Sequence, residues 1–439
     1  MTKTKLTKTA LRSAKPAKAR TRSLAAKTPK PWTVLVWIAG DNNLDEYGVA
    51  DIKEMKKVGS TDAVDIVVQF DRRGAGKTYR YHLRKGTKLD ADVLDLLGET
   101  NTGDPAVAID FFTWGMQQYP SDKVLAVIWN HGSGIDETDI YARAAARGIK
   151  VQRRGHRSRT TVPRSQIRDI AASKLRRALF STTVEAAIRS KAIAYDDTNR
   201  DFLDNAELKR VLAQVVKKVK RRIDVLGFDA CLMNMVEVAY QLRGLVGHIV
   251  ASEELEPGDG WPYDRVMADL AAKPGAAGVQ VAKAIVKRYL GSYAASDGVT
   301  DSAVDVSRVG SVAQAVDNLA AVCIASLETD ADYAAFGKAI KAAQRFQVRD
   351  FVDLGDLCRQ LVTRSPRHAV QQAAQQVLDA LLGAQPFIVA EGHKGSALRG
   401  ATGTSIYFPT VGDVHLTYGQ LEFAKDTRWG ELITKYQEL

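Results

Sequence analysis

Ile223-Asp224-Val225-Leu226-Gly227-Phe228-Asp229-Ala230-Cys231-Leu232-Met233-Asn234-Met235-Val236-Glu237 is the stretch from which the fold can be read. A short apolar run (Val225, Leu226, Phe228) leads into the small-residue turn Asp229-Ala230-Cys231, and apolar residues at helical spacing (Leu232, Val236, Ala239, Tyr240) follow. The pattern predicts a buried strand, a turn and a helix, with Cys231 at the carboxyl edge of a sheet and at a helix N-terminus, where the local field favours a thiolate. Upstream, Val124 to Ile128 is a second apolar run, ending in Trp129-Asn130-His131-Gly132-Ser133-Gly134. Two strand ends in a parallel sheet can bring a Cys and a His together.

Working outward, the chain predicts an α/β protein with a mostly parallel sheet flanked by helices. Trp32 to Ala39 and Val64 to Phe70 are apolar almost throughout, as strands buried on both faces must be. Asp41-Asn42-Asn43 caps a helix over 44–58, and Pro105 opens one over 105–118. Thr78 to Leu83 alternates and is expected at the sheet edge. Three units follow: a disordered basic arm (1–31), a catalytic domain (32–262) with a basic insert at about 136–195, and a mainly helical subdomain (263–439). That subdomain is expected to return strands near Pro386–Ala390 and Thr404–Phe408 to the sheet, with 294–306 a strand or loop.

The 439 residues carry a net charge of +11. The arm holds ten Lys or Arg and no acid, and residues 143 to 191 hold fourteen against two acids, so removing both leaves the remainder at −11. An acidic body suits a cationic substrate better than a phosphate backbone. The basic runs also lack interleaved aromatics, which speaks against nucleic-acid recognition. Three scattered cysteines (Cys231, Cys323, Cys358) make neither a disulfide framework nor a zinc pattern. No stretch approaches the ~20 apolar residues of a membrane span. The arm lacks the apolar core of a secretory signal, which predicts a cytoplasmic rather than an exported protein, although its Arg, Ser and Ala also suit an organelle transit peptide.

Glu253-Glu254-Leu255-Glu256-Pro257-Gly258-Asp259-Gly260-Trp261 follows the strand at Ile249 to Ser252, in the zone where open α/β sheets bind substrates. Asp259 is the first candidate for the floor of a pocket that selects a basic side chain, with Asp229 beside it and Glu253 and Glu254 in reserve. The insert is either a solvated basic linker or a target for a peptidase that cuts after Arg or Lys; Arg147, Lys150, Arg154 and Arg159 are the candidate sites. Helical spacing over 166–192 also allows a packed lid. Asp197, Asn199 and Asp201 alternate as in a calcium loop, but Phe202 and Leu208 stand where such loops need Gly and Glu.

The pairing of His131-Gly132 with Asp229-Ala230-Cys231, each after an apolar strand, resembles the dyad motifs of the caspase, legumain, gingipain and clostripain clan of cysteine peptidases. Trp37-Ile38-Ala39-Gly40-Asp41-Asn42-Asn43-Leu44, Gly227-Phe228-Asp229-Ala230-Cys231-Leu232-Met233, Ala251-Ser252-Glu253-Glu254, Glu256-Pro257-Gly258 and Ser405-Ile406-Tyr407-Phe408-Pro409 are similar to the clostripain-like branch, in its order over about residues 32 to 410. The resemblance implies a caspase-like fold, nicking in a loop between His and Cys, and a possible calcium dependence. The expected chemistry is hydrolysis after Arg, less well Lys. Cys231 is the nucleophile, His131 moves the proton, and the N–H groups of Gly132 and Cys231 receive the oxyanion. No metal or other cofactor is required for these steps, and the processed enzyme is expected to act as a monomer on proteins or peptides. The rival expectations are a nucleic-acid-binding protein and an inactive scaffold of the same fold.

Overall fold

The computed structural model describes residues 28–42, 44–74, 76–130, 152–154, 159–161, 176–177, 192–196, 201–411 and 418–438. Nine strands form its principal sheet: β1 (Lys30–Gly40), β2 (Val64–Arg72), β3 (Lys77–His82), β4 (Val93–Gly98), β5 (Ser121–Trp129), β6 (Ile223–Asp229), β7 (Val246–Ala251), β8 (Thr300–Asp305) and β9 (Ile388–His393). Their spatial order is β9-β8-β7-β6-β5-β1-β2-β3-β4. The five central strands run parallel, and an antiparallel pair extends the sheet on each side.

Burial explains why these segments are strands. In β1, Leu35, Trp37 and Ala39 face one core while Val34, Val36 and Ile38 face the other, so a continuous apolar run fills both sides of the sheet. The first core is closed by α2 (Pro105–Gln118), α3 (Asn205–Val219) and α4 (Val236–Gln241), then by α7 (Val309–Ser326), α8 (Asp330–Ala342), α9 (Leu354–Arg364) and α10 (His368–Leu382). The opposite core is closed by α1 (Asp45–Val58), α5 (Tyr263–Ala272) and α6 (Gly278–Ser292). Helix starts carry their own chemistry. Asp104 accepts from Ala106 N ahead of Pro105, and Asp204 and Glu207 close a capping box on α3. Residues 306–326 are long and apolar enough to cross a membrane, yet Val309, Val312, Val316 and Leu319 are buried in the first core.

Three details differ from the sequence expectation. β3 is not the edge, because β4 pairs outside it. β4 gave no signal of a buried face, since Leu94, Leu96 and Leu97 are 42%, 56% and 40% exposed. Strand β1 starts at Lys30, whose Nζ reaches Thr61 O and Asp65 Oδ1, so the arm expected to end at 31 ends earlier. Finally, Ser405–Tyr407 does not return to the main sheet. It pairs with Phe351–Asp353 and bridges to Met235, while Thr300–Asp305 supplies the sheet strand instead.

A buried acid pair ties these late segments to the sheet. Glu253 accepts from Gly403 N at 3.1 Å, and Asp353 accepts from Thr402 N and Oγ1 and from Asp356 N at the start of α9. Burial raises both carboxyls, Glu253 well above its usual range and Asp353 to about 6, so the pair shares a proton at a pH where free carboxylic acids have lost theirs. A raised folded pKa means stability that is complete at low pH and lost as pH rises. Over pH 4.5 to 7.5 the wild type should therefore lose stability relative to Glu253→Gln, by at most about 1.4 kcal/mol per pH unit. Parallel denaturation curves with a pH-independent difference would exclude the shared proton.

Candidate active site

Cys231 stands two residues past the end of β6, at the carboxyl edge of the sheet. It is fully buried, and its Sγ accepts a hydrogen bond from Glu256 N at 3.0 Å. The helix expected to start here does not. α4 begins at Val236, after the N-cap Met235, and Leu232 takes a left-handed backbone with φ of 61°. A non-glycine residue in that region is strained and persists only when its surroundings hold it. The field expected from a helix terminus is thus supplied by one N–H aimed at sulfur, an arrangement that favours negative charge there.

The loop is held on both sides. Leu232 N donates to Glu254 O, and Asn234 N to Ser252 O. The Asn234 amide donates to Ala251 O at 3.2 Å and to Ser302 O and Oγ at 3.1 and 2.5 Å. On the neighbouring strand, Trp129 pairs with Asp229, and Asn130 N donates to Asp229 O at 3.4 Å. Asn42 Nδ2 reaches Asn130 Oδ1 at 3.1 Å, and Trp129 Nε1 donates to Asp51 Oδ2 at 2.6 Å. His131 and Gly132 lie outside the described residues, as do Arg147 and Lys150. Arg154 and Arg159 are described as strand backbone, paired with each other. Arg176–Arg177 pairs antiparallel with Glu256–Pro257, the segment that touches the thiol.

The candidate pocket acids part company. Asp229 is buried beside Cys231 and accepts from Tyr263 OH at 2.8 Å. Asp259 is exposed and lines an outer cleft of about 720 Å³ with Asp51, Glu54 and Asp264. Glu253 turns to Gly403 and Asp353, as above. The sequence reading gave no role to Glu256, Asp301 on β8 or Tyr289 on α6. All three are buried, and their charges act on one another: burial first, then Glu256, holds the Tyr289 phenol well above its usual range, with Asp301 and Cys231 adding to it. Glu256 was within a quoted motif, and an isolated acid in the strand-like run Val299 to Val304 was the available sign for Asp301. Of the calcium-like loop, Asp197 and Asn199 lie outside the described residues, while Asp201 starts a short strand paired with Ala192–Asp196; among the described residues no group of three or more His, Cys, Asp or Glu is placed to hold a metal.

Gly227 marks how tightly the pocket side is packed. A Cβ there would lie 2.5 Å from Trp261 Cη2, so Gly227→Ala should destabilise the protein by about 1–3 kcal/mol. An unchanged melting temperature would show that Trp261 moves aside freely.

Comparison with known proteins agrees with this architecture. Clostripain from Hathewaya histolytica is 25% identical over 272 residues, 55% of this chain and 43% of that protein, so the match spans less than half of the relative. A secreted C11 cysteine protease from Bacteroides thetaiotaomicron, solved with an irreversible peptide inhibitor, superposes with TM-score 0.61 at 19% identity, over 91% of this chain and 99% of that one. An inactive zymogen C11 protease from Parabacteroides distasonis gives 0.59 at 19% identity, over 92% and 99%. These likenesses bear out the caspase-like fold. They overturn the cytoplasmic expectation, because the Bacteroides structures compared are those of secreted proteases. The clostripain family model matches residues 36–150 and 181–436, well over half of the sequence, and the chain therefore belongs to the clostripain family of cysteine peptidases.

Proposed function

We propose that this protein is an endopeptidase that cleaves after Arg, and less well after Lys, and that it becomes active by cutting its own basic insert. The observation that carries the reading is the buried thiol of Cys231 with the buried carboxylates of Asp229 and Glu256 next to it. Carboxylates in such a site are stabilised by a cationic side chain and leave a neutral one mismatched, at a cost of several kcal/mol.

In the mechanism, His131 takes the Cys231 proton and the thiolate attacks the scissile carbonyl carbon. The N–H groups of Gly132 and Cys231 hold the oxyanion. Collapse of the tetrahedral species breaks the C–N bond, His131 returns the proton to the leaving amine, and a thioacyl enzyme remains. Water, deprotonated by His131, then releases the acid and restores the thiol. No step is routed through a metal.

Self-cleavage draws support from the relative crystallised as an inactive zymogen, and from the antiparallel pairing of Arg176–Arg177 with Glu256–Pro257. An extended segment laid along that backbone is how a peptide substrate would dock by strand addition. Arg147, Lys150, Arg154 and Arg159 remain the proposed cut sites, and the processed enzyme is proposed to act as a monomer.

Expressed side by side, the wild type should separate into two pieces joined at a cut between residues 143 and 191, while Cys231→Ala stays whole. The wild type should hydrolyse a fluorogenic Arg peptide and the variant should lose roughly 10⁴-fold or more. Running the assay with calcium and with a chelator tests the implied dependence. Two intact proteins that cut none of the Arg, Lys, Asp or Asn peptides in either condition would end the peptidase reading.

A further inference from the structure

The sheet register places a third carboxylate opposite Asp229. Gly227 on β6 pairs with Val250 on β7, and Val250 pairs with Ala303 on β8. Because β8 runs the other way, Asp229, two residues after Gly227, and Asp301, two residues before Ala303, reach the same edge of the sheet. Side chains alternate along a strand, so both acids project to the face that carries Val250, Ala303, Trp261, Tyr263 and Tyr289. Their backbones are two strand spacings apart, about 10 Å. Thr300 fixes the near end of β8, its Oγ1 accepting from Glu253 N and Glu254 N at 3.0 Å.

Asp301 is 1% exposed, and its Oδ1 accepts from Ser302 N at 3.0 Å. Its Oδ2 meets no donor among the described residues, and neither does the buried hydroxyl of Tyr289 find a partner. A buried carboxylate oxygen without a donor is costly, and the buried Tyr289 hydroxyl beside it is in the same condition. Burial, and then the charge of Asp229, keeps the Asp301 carboxyl well above its usual range, as expected for an acid held without its cation. The chemistry missing from this space is a set of N–H donors with positive charge.

We infer that Asp301 and Tyr289 form the far wall of the specificity pocket and select arginine over lysine at the cleavage position. The inference rests on the Arg and Lys preference proposed above and deepens it. An ammonium is a point donor that one carboxylate, Asp229, satisfies. A guanidinium is a planar fork with five N–H groups, so it can meet Asp229 with one edge and Asp301 and Tyr289 with the other. Asp301 is then a binding residue whose effect falls on the choice between two cations.

The test compares matched fluorogenic peptides ending in Arg or Lys on wild type, Asp301→Asn and Tyr289→Phe, with the rate of Cys231 alkylation by iodoacetamide as a readout independent of the peptide. Asp301→Asn should lower kcat/KM for Arg about 100-fold, mainly through KM, and for Lys less than about 10-fold. Alkylation should stay within about threefold, which shows that the thiol and the fold survive. Tyr289→Phe should shift the Arg to Lys ratio the same way by a few fold. An unchanged ratio in Asp301→Asn with normal alkylation overturns the inference alone. If that variant fails to fold, an unchanged ratio in Tyr289→Phe overturns it. A wild type that cuts neither peptide removes the underlying preference, and the inference with it, before any variant is read.

Discussion

One amide side chain holds the reactive loop in place. Asn234 donates to Ala251 O on β7 and to Ser302 on β8, while its backbone oxygen accepts from Ser405 N. Three segments far apart in sequence therefore meet at the residue three past Cys231. That anchor adds to the backbone bonds from Leu232 N to Glu254 O and from Asn234 N to Ser252 O, and together they hold Leu232 left-handed where no helix starts to continue the chain. The strain is tolerated because the surrounding bonds over-determine the loop, and its effect is to set the thiol against Glu256 N. Pre-organisation of this kind would serve the chemistry proposed for Cys231, because a nucleophile already aimed needs little rearrangement before attack.

The buried acids of the protein sort by how they are satisfied. Asp92 is held by Lys56, Arg84 and Thr87, and its carboxyl lies below the usual range despite burial. Glu237 accepts from Tyr407 N and binds the late strand to α4. Glu253 and Asp353 solve the same problem with a shared proton and backbone donors. In each case the partner belongs to the protein, and the result is a joint between elements. Asp301 differs in that its one donor, Ser302 N, is its own chain neighbour, so this carboxylate joins no two elements.

This distinction sets the limit of what the sequence could reveal. Strands β1, β2, β5 and β6 were legible because burial on both faces demands an unbroken apolar run, and Cys231 because it follows such a run. Strand β4 was not, as its leucines face solvent and its place depends on pairing with β3. The start of α4 was misread for a physical reason: Leu232, Val236 and Ala239 keep helical spacing, yet the left-handed turn at Leu232 is set by Asn234 and its distant partners. Asp259 was ranked ahead of Glu253 within one acidic loop, and only the fold shows that the first is exposed and the second locked to Gly403. Asp301 was the hardest to see, since its place opposite Asp229 exists only where β6, β7 and β8 share a register.

Selectivity in such a pocket follows from what the acids cost when it is empty. Carboxylates gathered in a low-dielectric space repel one another, so such a pocket is destabilised while it is empty. A cation that enters removes that penalty, and the energy gained depends on how many of its N–H groups reach an acceptor. A neutral side chain gains nothing and leaves the repulsion in place. Discrimination is thus built from the unfavourable state as much as from the favourable one. The outer cleft with Glu54, Asp259 and Asp264 is different: Lys57 and Arg265 line it too, and Lys57 pairs with Glu54 and Asp264, so its charges are partly balanced within the protein. In the proposed pocket, the number of N–H groups that reach Asp229 and Asp301 would decide which residue is cut.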